Sequence, residues 1–270
     1  MYFESDLRSQ LRRLYVVPLS DLMPSAQVIP RDVQKIASEL QTQGVLRHPI
    51  LTIRFENRHL ILDGNARFLA ATQIGLPDIL IQEIPFDVVQ DPLHLPALAT
   101  IGLDPEELIR IIEDSFEADD HTDTHGLRLI IKPDDVRVMP ERKDAPFAIW
   151  ETFRRMVNAL TSVSEVVPLY NFKWPSTHKK LNSQVSVILA PPPLPLRLLC
   201  ALAREGQLLP ARMLHTPVPR RILGINLSLK VLSASEPPEE KTSFVRELIR
   251  LRISEQRIQY YDAPVYIVES

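Results

Sequence analysis

Cysteine is nearly absent: the 270 residues hold one, Cys200. A single thiol excludes an internal disulfide framework and a cysteine-based zinc ribbon. Cys200 lies in an apolar run at helical spacing and reads as a small core residue. Glycine is scarce as well, seven residues against 24 prolines. The chain therefore has few places for left-handed backbone and many stiff connections between short elements. No apolar run approaches the roughly 18 residues of a membrane span. The N-terminus, Met1-Tyr2-Phe3-Glu4-Ser5-Asp6, is acidic and lacks a signal-peptide core, so a cytoplasmic protein is expected. Neither sign of charge dominates. The formal net charge of −3 argues against a surface devoted to nucleic acid, though not against a local basic patch. What remains is ordinary for a globular chain of one large or two modest domains: 45% hydrophobic and 24% charged residues.

The stretch that stands out is Ile61-Leu62-Asp63-Gly64-Asn65-Ala66-Arg67-Phe68. It ends an apolar run, His59–Leu62, that reads as a strand, and it opens a helix over Ala66–Ile74 that stops at Gly75. Asp63-Gly64-Asn65 thus forms a strand-to-helix turn, where unpaired backbone N–H groups and the helix dipole favour an anion. Gly64 lets the backbone approach a ligand closely. Arg67, in the first helical turn, can fork onto phosphate or carboxylate. The plainer alternative is a helix-capping Asp63 in a common Asp-Gly turn.

The spacing of apolar residues predicts the flanking elements. Residues 1–13 read as a helix or arm and Leu14–Leu19 as a strand. Pro30 starts a helix that Gly44 ends. Arg47–Ile53 and Arg58–Leu62 read as neighbouring strands, and Ile79–Ile84 as a further one. Residues 85–120 read as irregular, then helical from Pro105. Strands follow at Leu127–Lys132, Val136–Met139, Val185–Leu189, Ile222–Val231 and Pro264–Val268. Helices are predicted at Ala145–Ala159, Pro195–Glu205 and Pro238–Gln256. There is no internal repeat.

The order strand, helix, strand, strand, turn, helix, strand resembles the ParB/sulfiredoxin fold, in its residues as well as its order. Gly44-Val45-Leu46-Arg47-His48-Pro49-Ile50-Leu51 is similar to a signature of that superfamily. Ile61–Arg67 falls where its nucleotide-phosphate loop lies, and Gly75-Leu76-Pro77-Asp78-Ile79 is similar to its exit from the following helix. The helix around Trp150, the run Leu209-Pro210-Ala211-Arg212, the segment Gly224-Ile225-Asn226-Leu227 and the last helix with Tyr266-Ile267-Val268-Glu269 narrow the pattern. Together they resemble the free L-serine kinases of this superfamily, of the kind found in siderophore clusters of the staphyloferrin B type. The resemblance implies an α/β (α+β) protein with a ParB/sulfiredoxin-like nucleotide-binding domain over residues 1–90 and a C-terminal α/β half over 91–270, which either stands as a second domain or packs onto the first sheet. It implies ATP or ADP with Mg²⁺, and phosphoryl transfer to L-serine giving O-phosphoserine. The open alternative is a catalytically inactive regulator that binds nucleotide or a metabolite together with DNA or a protein partner.

On this resemblance the phosphate contacts come from Gly64, Asn65, Ala66 and Arg67, while Asp63 serves the substrate amine or a metal-bound water. The chain also departs from the family. The loop there is usually Asp-Gly-x-His-Arg, and Ala66 stands at the histidine. The family's catalytic glutamate falls on Ala26 by ungapped alignment, beside Ser25 and Gln27, and no carboxylate lies between Asp21 and Asp32. A tryptophan expected near 100–105 is missing. A Thr-Arg(-His) group is matched only approximately by His215 and Thr216, the remaining substrate-binding candidates; Arg220 and Arg221 follow and can supply positive charge. Asp32, Glu83 and Glu106 are the candidate replacements for the missing base. No metal-ligand set is assigned. His121 and His125 sit in a loop-like acidic stretch without the glutamate of a zinc protease. Tyr170, Phe172 and Trp174, with Lys173, Lys179 and Lys180, read as a structural strand and a basic loop before they read as a single-strand binding face. Arg246, Arg250, Arg252 and Arg257 alternate with glutamates on what reads as a solvated amphipathic helix.

Overall fold

The computed structural model describes residues 2–89, 92–93, 95–102, 110, 127–132, 135–139, 147–169, 185–214, 220–261 and 265–268. The chain divides into two units: residues 1–90 with 203–208 and 216–270, and residues 91–202 with 209–215. Residues 216–270 therefore group with the N-terminal segment and not with the rest of 91–270, the half expected from sequence.

In the first unit, helix α1 (Tyr2–Leu11) leads into strand β1 (Leu14–Pro18), and β2 (Leu22–Met23) follows a single 3-10 turn. Helix α2 (Pro30–Gln43) begins with proline at its first turn, where no amide donor is needed, and buries Val33, Ala37 and Leu40 on one face. It ends at Gly44, whose left-handed φ of 67° and N–H bond to the Leu40 carbonyl close the helix. After β3 (Val45–Leu46) come β4 (Ile50–Phe55), β5 (Arg58–Asp63), helix α3 (Asn65–Gln73) and β6 (Asp78–Glu83). The main sheet has the order β1-β6-β4-β5-β2. β5 is antiparallel to β4, and β6 is parallel to it, with Ile50 opposite Ile81. Leu60, Ile61 and Leu62 are each 1% exposed or less, because this strand is covered on both faces. The expected strand over Arg47–Ile53 is displaced to Ile50–Phe55. Pro49 cannot donate to a ladder, so pairing starts after it.

The returning segment supplies the last elements in chain order, β12 (Arg221–Leu223), β13 (Leu227–Ser228), helices α6 (Leu229–Ser233) and α7 (Pro238–Ser254), and strands β14 (Ile258–Tyr261) and β15 (Val265–Val268). The continuous strand expected over Ile222–Val231 is thus broken in three. Gly224 and Asn226 take positive φ values of 69° and 49°, which no strand tolerates, and Ser228 caps α6 by accepting from the Lys230 N–H. β13 pairs with β3, and Gln82 clips β12 to β6: its Oε1 accepts from Ile222 N–H at 3.0 Å and its Nε2 donates to the Arg220 carbonyl at 3.0 Å.

The second unit carries β7 (Ala97–Ile101), β8 (Leu127–Lys132), β9 (Asp135–Met139), β10 (Glu165–Leu169) and β11 (Val185–Ala190), in the sheet order β10-β7-β11-β8-β9. Helix α4 (Ala148–Val163) buries Trp150 against Phe153, edge to face with ring centroids 5.9 Å apart, and α5 (Leu196–Arg204) follows β11. Strand β7 lies inside the stretch read as irregular. Its alanines carry weak β-propensity, and only pairing with β10 and β11 makes it a strand. The helix expected from Pro105, the histidines at 121 and 125, and the aromatic–basic segment 170–180 lie outside the described residues.

Candidate functional site

The turn after β5 is built as its residues dictate. Gly64 has φ 109°, and a Cβ there would lie 3.2 Å from the Arg67 Cζ and Nη2 atoms and from Ile50 Cγ1. Only glycine fits. No side chain caps α3. The first helical bond runs from the Phe68 N–H to the Gly64 carbonyl at 2.9 Å, so the N–H groups of Asn65, Ala66 and Arg67 precede it and have no intrahelical partner. They form the anion-favouring end of the helix.

Asp63 sits between two arginines. Its Oδ2 accepts from Arg67 Nη2 at 3.0 Å and from Arg221 Nη2 at 2.5 Å. Burial pushes the Asp63 carboxyl up, but the charges and hydrogen bonds of Arg67 and Arg221 outweigh it, and the group stays below the usual carboxylate range. The carboxylate is thus held ionised with one oxygen, Oδ1, outside these pairs. Two guanidiniums against one carboxylate leave the cluster with a net positive charge.

The two arginines are not equivalent. Arg67 was expected to offer its fork to an anion. Instead Nη1 donates to the His48 and Pro49 carbonyls at 3.1 and 2.5 Å, and Nη2 to Asp63. Its side chain is 17% exposed. It ties α3 to the chain before β4. Arg221 reaches Asp63 from β12, 158 residues away, and its Nε is buried without a hydrogen-bond partner. His48 completes the tie, its Nδ1 accepting from the Gly224 N–H at 3.0 Å. Burial pushes the imidazole down, and Arg67, Arg47 and Arg221 push it further, to about 4, against an upward pull from Asp63. With Nδ1 accepting, the ring is neutral and carries its proton on Nε2.

Asn65 turns away from the helix end. Its Oδ1 accepts from the Ser25 N–H at 3.0 Å, and its Nδ2 donates to Ser25 Oγ at 3.3 Å. Ser25 Oγ donates in turn to the Ile61 carbonyl at 2.5 Å. Ser25 is fully buried and Ala26, the position of the family's glutamate by alignment, is 7% exposed. The loop after β2 is therefore stitched to the turn, and Ser25 and Ala26 bring no carboxylate to it.

The other candidates are placed elsewhere or fall outside. Glu83 lies beside His59, with Glu83 Oε2 3.3 Å from His59 Nδ1, and Arg54 Nη1 donates to His59 Nε2 at 2.9 Å. These three line a cavity of about 680 Å³ with Tyr15, Asp21 and Arg246 and with none of residues 63–67. Asp32 lies in the first turn of α2. Glu106, His215 and Thr216 lie outside the described residues. The arginines of α7 and Arg257 beyond its end are engaged within the protein: Arg246 with the Arg12 and Leu14 carbonyls, Arg252 with the Ile225 carbonyl, Arg250 with Glu247 and Arg257 with Glu255. Among the described residues no three His, Cys, Asp or Glu side chains gather in a way that could hold a metal, and no helix is long and apolar enough to cross a membrane.

No family model matches the sequence. The ATP-dependent L-serine kinase SbnI of Staphylococcus aureus (strain NCTC 8325 / PS 47) is 21% identical over 271 residues, covering 95% of this chain and 97% of that one. Among solved structures, SbnI with a C-terminal truncation from Staphylococcus aureus superposes with a TM-score of 0.75 at 16% identity, over 90% of this chain and 98% of the other. A free serine kinase with alanine in place of a glutamate, in complex with ADP, superposes with a TM-score of 0.66 at 14% identity, over 82% of this chain and 94% of the other. The chain is a mixed α/β protein with the fold of these kinases.

Proposed function

We propose that the chain is a nucleotide-binding protein of the free-serine-kinase type, which takes ATP or ADP and transfers a phosphoryl group to L-serine. The observation that carries this reading is the turn at 63–67: an uncapped helix end beside a carboxylate held ionised by two arginines, in a fold shared with a kinase solved in complex with ADP. The N–H groups of Asn65, Ala66 and Arg67 cradle a phosphate. Arg221, whose donors are less fully used than those of Arg67, supplies the neutralising charge. Asp63 Oδ1 orients the serine amine or hydroxyl. In the reaction the serine Oγ–P bond forms as the bond between the terminal phosphorus and its bridging oxygen breaks. The hydroxyl proton passes to solvent water, and the products are O-phosphoserine and the nucleotide shortened by one phosphate. His215 and Thr216 stand as candidates for the rest of the substrate site.

The turn does not fit a resident Mg²⁺. Asp63 Oδ2 is committed to two arginines, and the surrounding charge is positive. Magnesium in this reading arrives on the phosphates of the nucleotide.

A second reading is favoured by Ala26. A methyl group cannot accept the serine proton, so binding without transfer, as in a nucleotide or metabolite sensor, follows if no other base serves. One experiment separates the two. The protein is incubated with L-serine, Mg²⁺ and ATP or ADP, O-phosphoserine is sought by mass spectrometry, and nucleotide binding is measured by calorimetry. Product that disappears in Asp63→Ala supports the kinase. Binding without product supports the sensor, and gain of product in Ala26→Glu identifies the missing base. Absence of nucleotide binding overturns both.

A further inference from the structure

We infer that the Asn65 side chain is a positioning group, not a phosphate ligand, and that with Ser25 it forms a latch fixing the loop after β2 to the anion-binding turn. Both ends of the Asn65 amide are engaged by one residue: Oδ1 by the Ser25 N–H at 3.0 Å, and Nδ2 by Ser25 Oγ at 3.3 Å. Ser25 Oγ passes its own proton to the Ile61 carbonyl on β5 at 2.5 Å. The three bonds run in sequence through Ser25, which is fully buried at their centre. Asn65 is the first residue of α3, and Ser25 is the neighbour of Ala26. The latch thus joins the anion-favouring end of α3 to the segment that carries Ala26.

The residue types suit this role. An asparagine amide both accepts and donates, and serine does the same with one oxygen. Aspartate at 65 keeps the acceptor for the Ser25 N–H but loses the donor to Ser25 Oγ. Alanine at 65 loses both. Alanine at 25 loses both bonds of the hydroxyl while keeping the N–H to Oδ1. Asn65→Ala and Ser25→Ala therefore share one of the three bonds, and their effects couple if Asn65 acts through Ser25.

This inference rests on the nucleotide-binding reading only in assuming that the turn holds phosphate. The test uses the full-length chain as wild type, Asn65→Ala, Asn65→Asp, Ser25→Ala and the Asn65→Ala/Ser25→Ala pair. ADP affinity is measured by calorimetry, and exchange of the Ser25 and Ala26 amides by hydrogen-exchange NMR. Asn65→Ala is expected to weaken ADP about tenfold in the wild-type background and about threefold or less in Ser25→Ala. The Ser25 amide is expected to exchange at least about tenfold faster in Asn65→Ala and to keep most of its protection in Asn65→Asp. Equal loss of affinity in both backgrounds, with Ser25 protection unchanged, would make the Asn65 side chain a direct ligand and overturn the latch. So would an Asn65→Ala protein with neither property altered. If the wild type binds no ADP, the nucleotide reading fails by itself, while the exchange of the Ser25 amide still decides whether the latch exists.

Discussion

At the scale of single residues, the turn depends on Gly64 more strictly than on any side chain around it. Its φ of 109° and the 3.2 Å approach of Arg67 and Ile50 to a Cβ act together. Gly64→Ala is expected to cost about 2 kcal/mol or more from backbone strain alone and to push the Arg67 guanidinium off Asp63. Urea denaturation reads the first effect, and a crystal structure of the variant reads the second. His48 makes a different prediction, about pH. Its folded pKa of about 4 lies below the 6.5 of a free imidazole, so the unfolded chain binds a proton that the folded chain refuses. The stability this group contributes is fully present above about pH 6.5 and is lost as pH falls toward 4. Asp63, held below its ordinary range, adds a loss of the same sign at lower pH still. Unfolding free energies of the wild type are expected to decrease as pH is lowered from 7 to 4. They should fall less in His48→Asn, which keeps an acceptor near the Gly224 N–H and has no ring to titrate. An identical slope in both proteins counts against His48. The chemistry of the turn was legible in Asp63-Gly64-Asn65 because strand, glycine and helix adjoin in sequence. The commitment of Arg67 to carbonyls, and the arrival of Arg221 at Asp63, were not. Those contacts join residues 18, 19 and 158 positions apart, and one sequence carries no record of such distances.

Among the elements, α7 is held to the main sheet by polar contacts as well as by Val245 and Ile249. Thr242 Oγ1 accepts from the Val16 N–H at 2.8 Å on β1. Lys241 reaches Asp78 at the start of β6 at 2.6 Å and donates also to the Leu232 and Ala234 carbonyls. The lysine side chain is 3% exposed and the aspartate 10%, so this is a buried pair. Removing one partner strands the other, and Lys241→Met is expected to destabilise the protein by about 3–5 kcal/mol. Adding Asp78→Asn to that variant should recover part of the loss, because the two carbonyls stay unpaired while the orphaned charge is gone. Chemical denaturation of both variants checks the pattern, and a double variant weaker than the single one would refute it. Helix α7 was plain in the sequence from its proline start and apolar spacing. The same reasoning failed one element earlier. The apolar run from Ile222 predicts a single strand, but Gly224 and Asn226 interrupt it, and their positive φ values turn the chain from β12 through β13 into α6.

The chain as a whole is closed differently from the order in which it is written. An N-terminal domain over residues 1–90 was the natural reading, since the three motifs that resemble a known fold all lie before residue 84. The core of that unit, however, holds Ile222, Ile225, Leu227, Leu232, Val245 and Ile249, all fully buried beside Leu14, Val16, Ile50 and Ile79. Motif spacing could not reveal this, because an apolar face in sequence does not say which distant face will cover it. Burying an aliphatic side chain is worth roughly 1.5–3 kcal/mol, so six of them contribute on the order of 10 kcal/mol. That is comparable to the whole stability of an ordinary domain, about 5–15 kcal/mol. Residues 1–90 produced alone are therefore expected to lack a cooperative thermal transition and a dispersed amide NMR spectrum, although every strand of the main sheet and the whole 63–67 turn are present in them. Co-expressing residues 216–270 as a separate chain should restore both, and with them the Arg221–Asp63 pair. A fragment of 1–90 that melts cooperatively by itself would show that the returning segment covers the core without being needed to form it. The site would then be a property of the first 90 residues with Arg221 as an addition, and ADP affinity of the fragment, compared with that of the full chain, would measure what Arg221 adds.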